Sequence, residues 1–315
     1  MAMVHCHAGT HEAQFRDMTP EDVAKAPRVR FRDITSLDGT RLRVWDNGAE
    51  GPTVFLCNGL GTTAHMWPAL VDPDCGVHVV SWNHRGVGGS ERPANGRVDL
   101  DSVLEDAIAV MDDAEIESAV IASWSFGVTV AFELAARYPS RVRGILAVAG
   151  VPGDTFSTML APLRIPRPVS KAVMVTVAKG AWLGRRALAP VTRRVPWVPA
   201  TTNLVRHSGI INPAADPVHV QLAVKEFFAN DFGWYTFMAL AASKHGRVPL
   251  AGIRVPTTFI AGKRDIVAGA RDIQAASERI PESRFQLLDG THFLTLEFPH
   301  VVHGELHALL ARAGN

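Results

Sequence analysis

Three cysteines in 315 residues, Cys6, Cys57 and Cys75, match no disulfide framework and no zinc-site spacing. Cys57 lies in an apolar run and reads as a small core hydrophobe. A reducing compartment is the expectation. Charge of one sign is not in excess either. Lys and Arg number 32 against 31 Asp and Glu, so nucleic acid is not expected as a partner. Long hydrophobic runs are missing as well. The longest stretch without Asp, Glu, Lys or Arg, residues 51–71, contains Pro52, Asn58, Gly59, Gly61 and Pro68, which rules out a spanning helix there. Residues 1–18 carry no apolar core of the signal-peptide kind, and a cytoplasmic chain is expected. There is no internal repeat and no low-complexity tract.

What is present is an ordinary globular mixture, 47% hydrophobic and 20% charged. Residues 1–25 are polar and His-rich and are expected to precede the fold. His5, Cys6, His7 and His11 are metal-ligand types there, but a terminal segment is the plainer reading. No metal and no cofactor is expected.

Regular patterning begins near residue 28. Val29–Thr35 and Arg41–Trp45 flank the turn signal Asp38-Gly39 and predict a β-hairpin. Short apolar runs follow at Thr53–Cys57, Val77–Trp82, Ala119–Ala122 and Gly144–Ala149, then at Thr257–Ala261 and Phe285–Leu288. Continuous apolar runs suit strands buried on both faces of a parallel sheet. Helical patterns alternate with them at Asp99–Met111, Phe126–Tyr138 and Glu297–Ala313. The expected class is therefore α/β, with a mostly parallel central sheet flanked by helices. About a hundred residues separate the strand ending near Ala149 from that beginning at Thr257, too many for a simple crossover. Residues 153–247 are read as an inserted helical cap, leaving 26–152 and 248–315 as the core.

The chemically informative motif is Ile121-Ala122-Ser123-Trp124-Ser125-Phe126-Gly127. It follows an apolar strand and opens a helix, the setting of a nucleophile elbow. Small residues are required two positions to either side, where helix and strand approach closely. Gly127 supplies one, and Ser123 stands where G-x-S-x-G has its first glycine. Without the elbow, Ser125 would be an ordinary helix N-cap.

Four further segments accompany it. They are Asn83-His84-Arg85-Gly86-Val87-Gly88-Gly89-Ser90, Cys57-Asn58-Gly59-Leu60-Gly61, Gly262-Lys263-Arg264-Asp265, and Leu288-Asp289-Gly290-Thr291-His292 followed by Glu297-Phe298-Pro299. In this order the five motifs resemble the α/β-hydrolase family, in its serine-nucleophile, esterase- or lipase-like branch. Asn83 and Asn58 stand where that family has an acid and a histidine. The resemblance implies a triad of Ser125, Asp265 and His292, in the family's chain order. Asp154, just past an earlier strand, remains an alternative acid. It also implies an oxyanion hole made by the backbone N–H groups of Leu60 and Phe126, with Asn58 bracing the loop. Trp124 and Phe293 are the candidate substrate-binding residues. His84 is expected to brace its loop. His300, His303 and His307 share a helix face and read as solvated rather than metal-binding.

A serine at the elbow disfavours the epoxide and haloalkane chemistry of relatives with aspartate there. Ester, thioester or lactone hydrolysis remains, as do carbon–carbon hydrolysis and cofactor-free peroxidation. A non-catalytic ligand-binding relative is a third class. The expected partner is a small ester or lipid substrate. From Thr155 to Ala215 there are nine Lys or Arg and no Asp or Glu, leaving 23 cations against 31 anions elsewhere. Met, Val, Leu and Trp are interleaved. This asymmetry suggests a lid that meets an anionic membrane surface or an anionic substrate; core packing with solvated cations would also account for it. Gly180, Gly184 and Pro190 are expected to break the segment into short helices.

Overall fold

The computed structural model describes residues 29–160, 163, 165–187 and 199–314. The N-terminal His-rich segment, Cys6, Arg164, Pro190, Arg193, Arg194 and Trp197 lie outside the described residues.

Eight strands form one sheet: β1 (Arg30–Thr35), β2 (Arg41–Asp46), β3 (Thr53–Cys57), β4 (His78–Trp82), β5 (Ala119–Trp124), β6 (Val142–Val148), β7 (Thr257–Gly262) and β8 (Ser283–Leu288). Their order is β1-β2-β4-β3-β5-β6-β7-β8. β1 pairs antiparallel with β2 and β2 with β4, and every later pairing is parallel. The α/β class with a mostly parallel sheet is thus present.

Helices between and after the strands are α1 (Pro68–Val71), α2 (Leu100–Asp113), α3 (Phe126–Arg137), α4 (Thr155–Thr158), α5 (Arg167–Leu183), α6 (Pro199–His207), α7 (Pro217–Ala229), α8 (Phe232–Ala242), α9 (Ala270–Ser277), α10 (Leu294–Glu297) and α11 (Pro299–Arg312). Asp99 caps α2 by accepting from the Ser102 N–H, which holds the first turn. Apolar clusters cover both faces of the sheet. One contains Phe55, Ile121, Phe132 and Phe259, the other Trp45, Leu56, Val148 and Leu306.

β3 lies between β4 and β5, so the chain reverses its direction of growth across the sheet there. Loops leaving the carboxyl ends of β3 and β5 diverge at such a switch point and leave a crevice.

Some boundaries differ from those expected. β5 runs on to Trp124 because the Ser123 hydroxyl meets the cost of burial by donating to Leu146 O at 2.7 Å. The single C-terminal helix expected at Glu297–Ala313 is two helices, divided at Phe298 where Pro299 begins the second. Gly180 does not interrupt the segment after β6: α5 runs through it for 17 residues and ends at Gly184. A single helical glycine costs only about 1 kcal/mol, so it does not by itself stop a helix. Where that segment leaves and re-enters, Gly153 and Arg247 form an isolated antiparallel bridge, and Val248 N–H donates to Pro152 O.

Gly127 marks the tightest helix–sheet approach. A Cβ there would lie 1.9 Å from Cys57 O and 2.8 Å from Asn58 O. Both atoms are backbone and have little room to yield. Gly127→Ala is expected to destabilise the fold by about 3 kcal/mol or more, read as a lowered thermal midpoint; an unchanged midpoint would refute the close approach.

Candidate active site

β5 ends and α3 begins at Ser125, with φ 55° and ψ −120°. A non-glycine residue in that region costs on the order of 1–3 kcal/mol and is held only by its surroundings. Here Ser125 N–H donates to Val148 O, Val128 N–H donates to Ser125 O, and Gly150 leaves room where a Cβ would lie 2.5 Å from Ser125 O. The turn projects Oγ beyond the sheet edge.

His292 lies on the loop after β8, 167 positions along the chain. Its Nε2 is 2.9 Å from Ser125 Oγ and its Nδ1 is 2.8 Å from Asp265 Oδ2. Asp265 follows β7 and is fully buried. Its other oxygen accepts from the N–H groups of Val267 and Ala268 at 2.7 and 2.8 Å. The carboxylate is thereby fixed in orientation as well as position. The two loops are also tied directly, since Lys263 and Arg264 N–H groups donate to Leu288 O and Gly290 O.

Glu297 holds the histidine loop from below. It accepts from the Thr291 N–H and hydroxyl and from the Asn212 N–H. Trp124 Nε1–H donates to His292 O at 2.9 Å. Trp124 therefore touches the histidine as well as the cavity. Asp154, the alternative acid, is elsewhere engaged: it accepts from Lys171 Nζ at 2.8 Å and from the Ser157 hydroxyl at 2.7 Å.

The loop after β3 is braced by Asn58. Its Nδ2 donates to Thr63 O, and its Oδ1 accepts from Gly59 N–H and Trp67 Nε1–H. Among the described residues neither the Leu60 nor the Phe126 N–H meets an acceptor. Both residues border the same cavity as Ser125.

That cavity has a volume of about 370 Å³, and its wall is mostly apolar. Phe293, Met66, Phe227 and Val205 are among its lining residues, as are Trp124 and His292. Helices α7 and α8 roof it and are pinned to the core. Asn230 Nδ2 donates to Gly61 O, Trp234 Nε1–H donates to Arg85 O, and Glu226 binds Thr63 and His65. Sequence reasoning missed Tyr235 and His245, which also line the cavity. Burial raises the Tyr235 phenol above its ordinary range, so it stays a neutral hydroxyl. His245 Nε2 is 3.0 Å from the buried Glu133. Nothing in the local sequence of either marks it, because each reaches the site only through the packing of helices far along the chain.

Two expectations about neighbouring residues change. Arg85, not His84, braces the loop after β4. Its guanidinium makes two bonds of 2.7 Å to buried Asp106 and one of 2.5 Å to Asp38. His84 packs between Trp82 and Phe126, and its Nδ1 has no partner among the described residues. His303 and His307 turn toward the chain rather than solvent alone, with Nε2 atoms 2.8 and 3.2 Å from Cys75 O.

Burial pulls His84 from about 6.5 down to about 4. The folded pKa is depressed, so between these values the unfolded chain binds the extra proton. Stability is therefore expected to fall as pH drops from about 6.5 to about 4, by about 3 kcal/mol in total. Urea midpoints across this range should show the slope, and His84→Phe should flatten it. An equal slope in the variant would assign the effect to other groups.

The sequence pattern of the alpha/beta hydrolase fold matches residues 52–173. In three dimensions the chain is similar to the enol-lactonase from Burkholderia xenovorans LB400, with a TM-score of 0.66 over 89% of this chain and 100% of that one, at 21% identity. The chain has the α/β-hydrolase fold. Among curated proteins, it is 32% identical to an uncharacterized hydrolase, YNR064C, of Saccharomyces cerevisiae, over 39% of this chain and 43% of that protein. It is 36% identical to the 2-hydroxymuconate semialdehyde hydrolase of Pseudomonas sp. (strain CF600), over 38% of this chain and 42% of that one. The matches thus span about two fifths of the length of these relatives. No helix among the described residues is long and apolar enough to cross a membrane.

Proposed function

We propose that this protein is a serine hydrolase that cleaves a carboxylic ester of an acyl or lipid-like substrate through a Ser125–His292–Asp265 triad. The observation that carries the reading is the unbroken relay from Asp265 Oδ2 to His292 Nδ1 and from His292 Nε2 to Ser125 Oγ, at 2.8 and 2.9 Å, opening on an apolar cavity. A serine hydroxyl attacks a carbonyl only when a neighbouring base takes its proton. His292 takes it at Nε2, and Asp265 holds the proton on Nδ1 and stabilises the imidazolium that forms. The tetrahedral oxyanion is met by the N–H groups of Leu60 and Phe126, the second at the start of α3, where the helix favours negative charge. The alcohol leaves with the proton from His292, and water then releases the acid by the same steps in reverse. The helical segment 153–247 serves as the cap over the site, with Trp124 and Phe293 against the substrate.

A cavity of about 370 Å³ lies within the range usual for small-molecule sites. The reading is tested by a chain-length series of aryl esters set against the matching acyl thioesters. Ester kcat/KM should rise with acyl length and then fall once the chain outgrows the cavity. A crystal structure with a bound phosphonate should place the phosphoryl oxygen against the Leu60 and Phe126 N–H groups; any other position would remove that assignment. A second reading, thioester or carbon–carbon bond hydrolysis with the same triad, has in its favour the identity to the 2-hydroxymuconate semialdehyde hydrolase. Thioesters turning over faster than every ester would favour its first form.

A further inference from the structure

A helix on the surface of a water-soluble domain ordinarily turns its apolar stripe inward and its charges outward. α5 turns an apolar stripe outward. Of its 17 residues only Ser170 is buried. At 100° per residue, Val169, Val173, Thr176, Val177, Gly180 and Leu183 fall on one face, and all six are exposed. That face carries no charge. Val177 and Leu183 are 58% and 72% exposed. Arg167, Lys171 and Trp182 lie on the half-buried side, and Lys179 is exposed at the border of the apolar face.

The surroundings extend the apolar surface. Leu163, immediately before α5, is 66% exposed and bonds back to Leu160, which in turn donates to the carbonyl of Ile266, itself 58% exposed. Seven of the thirteen exposed large hydrophobic residues among the described residues lie between Leu163 and Ile210. A concentration of this kind marks a surface that meets something apolar.

We propose that the outward face of α5 docks on an anionic lipid surface. Charge decides between the candidate occupants. The same stretch, Thr155–Ala215, holds nine cations and no acid. Exposed Lys179 and Arg186 stand at the C-terminal end of the apolar face, and Arg185 stacks on Trp182 at 4.2 Å. A second copy meeting this face symmetrically would set the cationic stretch against itself. An anionic bilayer supplies both the apolar layer and the counter-charge, the pairing that interfacial helices use. The rest of the chain, with 23 cations against 31 anions, is repelled by the same surface and so orients α5 toward it. The inference rests on the surface alone and does not require the ester reading.

The test is co-sedimentation of the full chain with vesicles of phosphatidylcholine alone and of phosphatidylcholine with phosphatidylglycerol, at low and high salt. Binding should be stronger to the anionic vesicles and should weaken with salt. Each cation near such a surface contributes about a factor of five, so K179Q combined with R186Q should lower anionic binding about twenty-fold or more. V173S combined with V177S should weaken binding to both vesicle types. None of these residues lines the cavity, and hydrolysis of a short soluble aryl ester should be unchanged. Ser125→Ala should still sediment, which separates docking from catalysis. Equal sedimentation with neutral and anionic vesicles would overturn the proposal. So would a dimer in analytical ultracentrifugation, without lipid, that V173S with V177S dissociates, since a second copy would then cover α5.

Discussion

On the proposed function, replacing Ser125 with alanine should lower kcat on an aryl ester by on the order of 10⁴- to 10⁶-fold, the range expected when one member of a cooperating triad is lost. The expectation follows from the relay. Without Oγ, the imidazole 2.9 Å away has no nucleophile to deprotonate, although Asp265, the cavity and the backbone donors remain in place. The fold should be retained, because alanine meets the same backbone strain at φ 55° and removes only the hydroxyl that faces the cavity. Two measurements check it together: steady-state hydrolysis and covalent labelling by a fluorophosphonate. Both should vanish while the thermal midpoint stays near that of the unaltered protein. Labelling that survives in the variant would place the nucleophile elsewhere.

The second large effect separates two aspartates. Asp265→Asn should lower kcat by about 10⁴-fold, whereas Asp154→Asn should change it only a few-fold. In Asp265→Asn the amide oxygen can keep the bonds from the Val267 and Ala268 N–H groups, so the NH₂ is left facing His292 Nδ1. An NH₂ there demands that Nδ1 accept, which moves the ring proton to Nε2, where it blocks proton transfer from Ser125. Asp154 accepts from Lys171 and Ser157 and makes no bond to His292. Its loss removes a part-buried ion pair with Lys171, worth about 1 kcal/mol. The reverse ranking of the two variants would move the acid to the earlier strand.

Much of this was legible in the residues themselves. The alternation of short apolar runs with helical patterns is a local property, repeated every few residues, and it led to the α/β class and to the strand order along the chain. The elbow was legible for the same reason: a strand, a serine between small residues and a helix are all contained in Ile121–Gly127. The charge asymmetry of Thr155–Ala215 needs only counting. The tertiary structure alone decided which aspartate meets His292, since Asp154 and Asp265 both follow strands and differ only in where β6 and β7 place them in the sheet. It also decided that Arg85, with Asp106 and Asp38, braces the loop that His84 was expected to brace. Tyr235 and His245 reached the cavity, and α5 turned its apolar face outward, for the same reason. Each of these outcomes depends on which distant apolar surfaces pack together. No short window of sequence encodes that, because burial is a property of the whole packed chain.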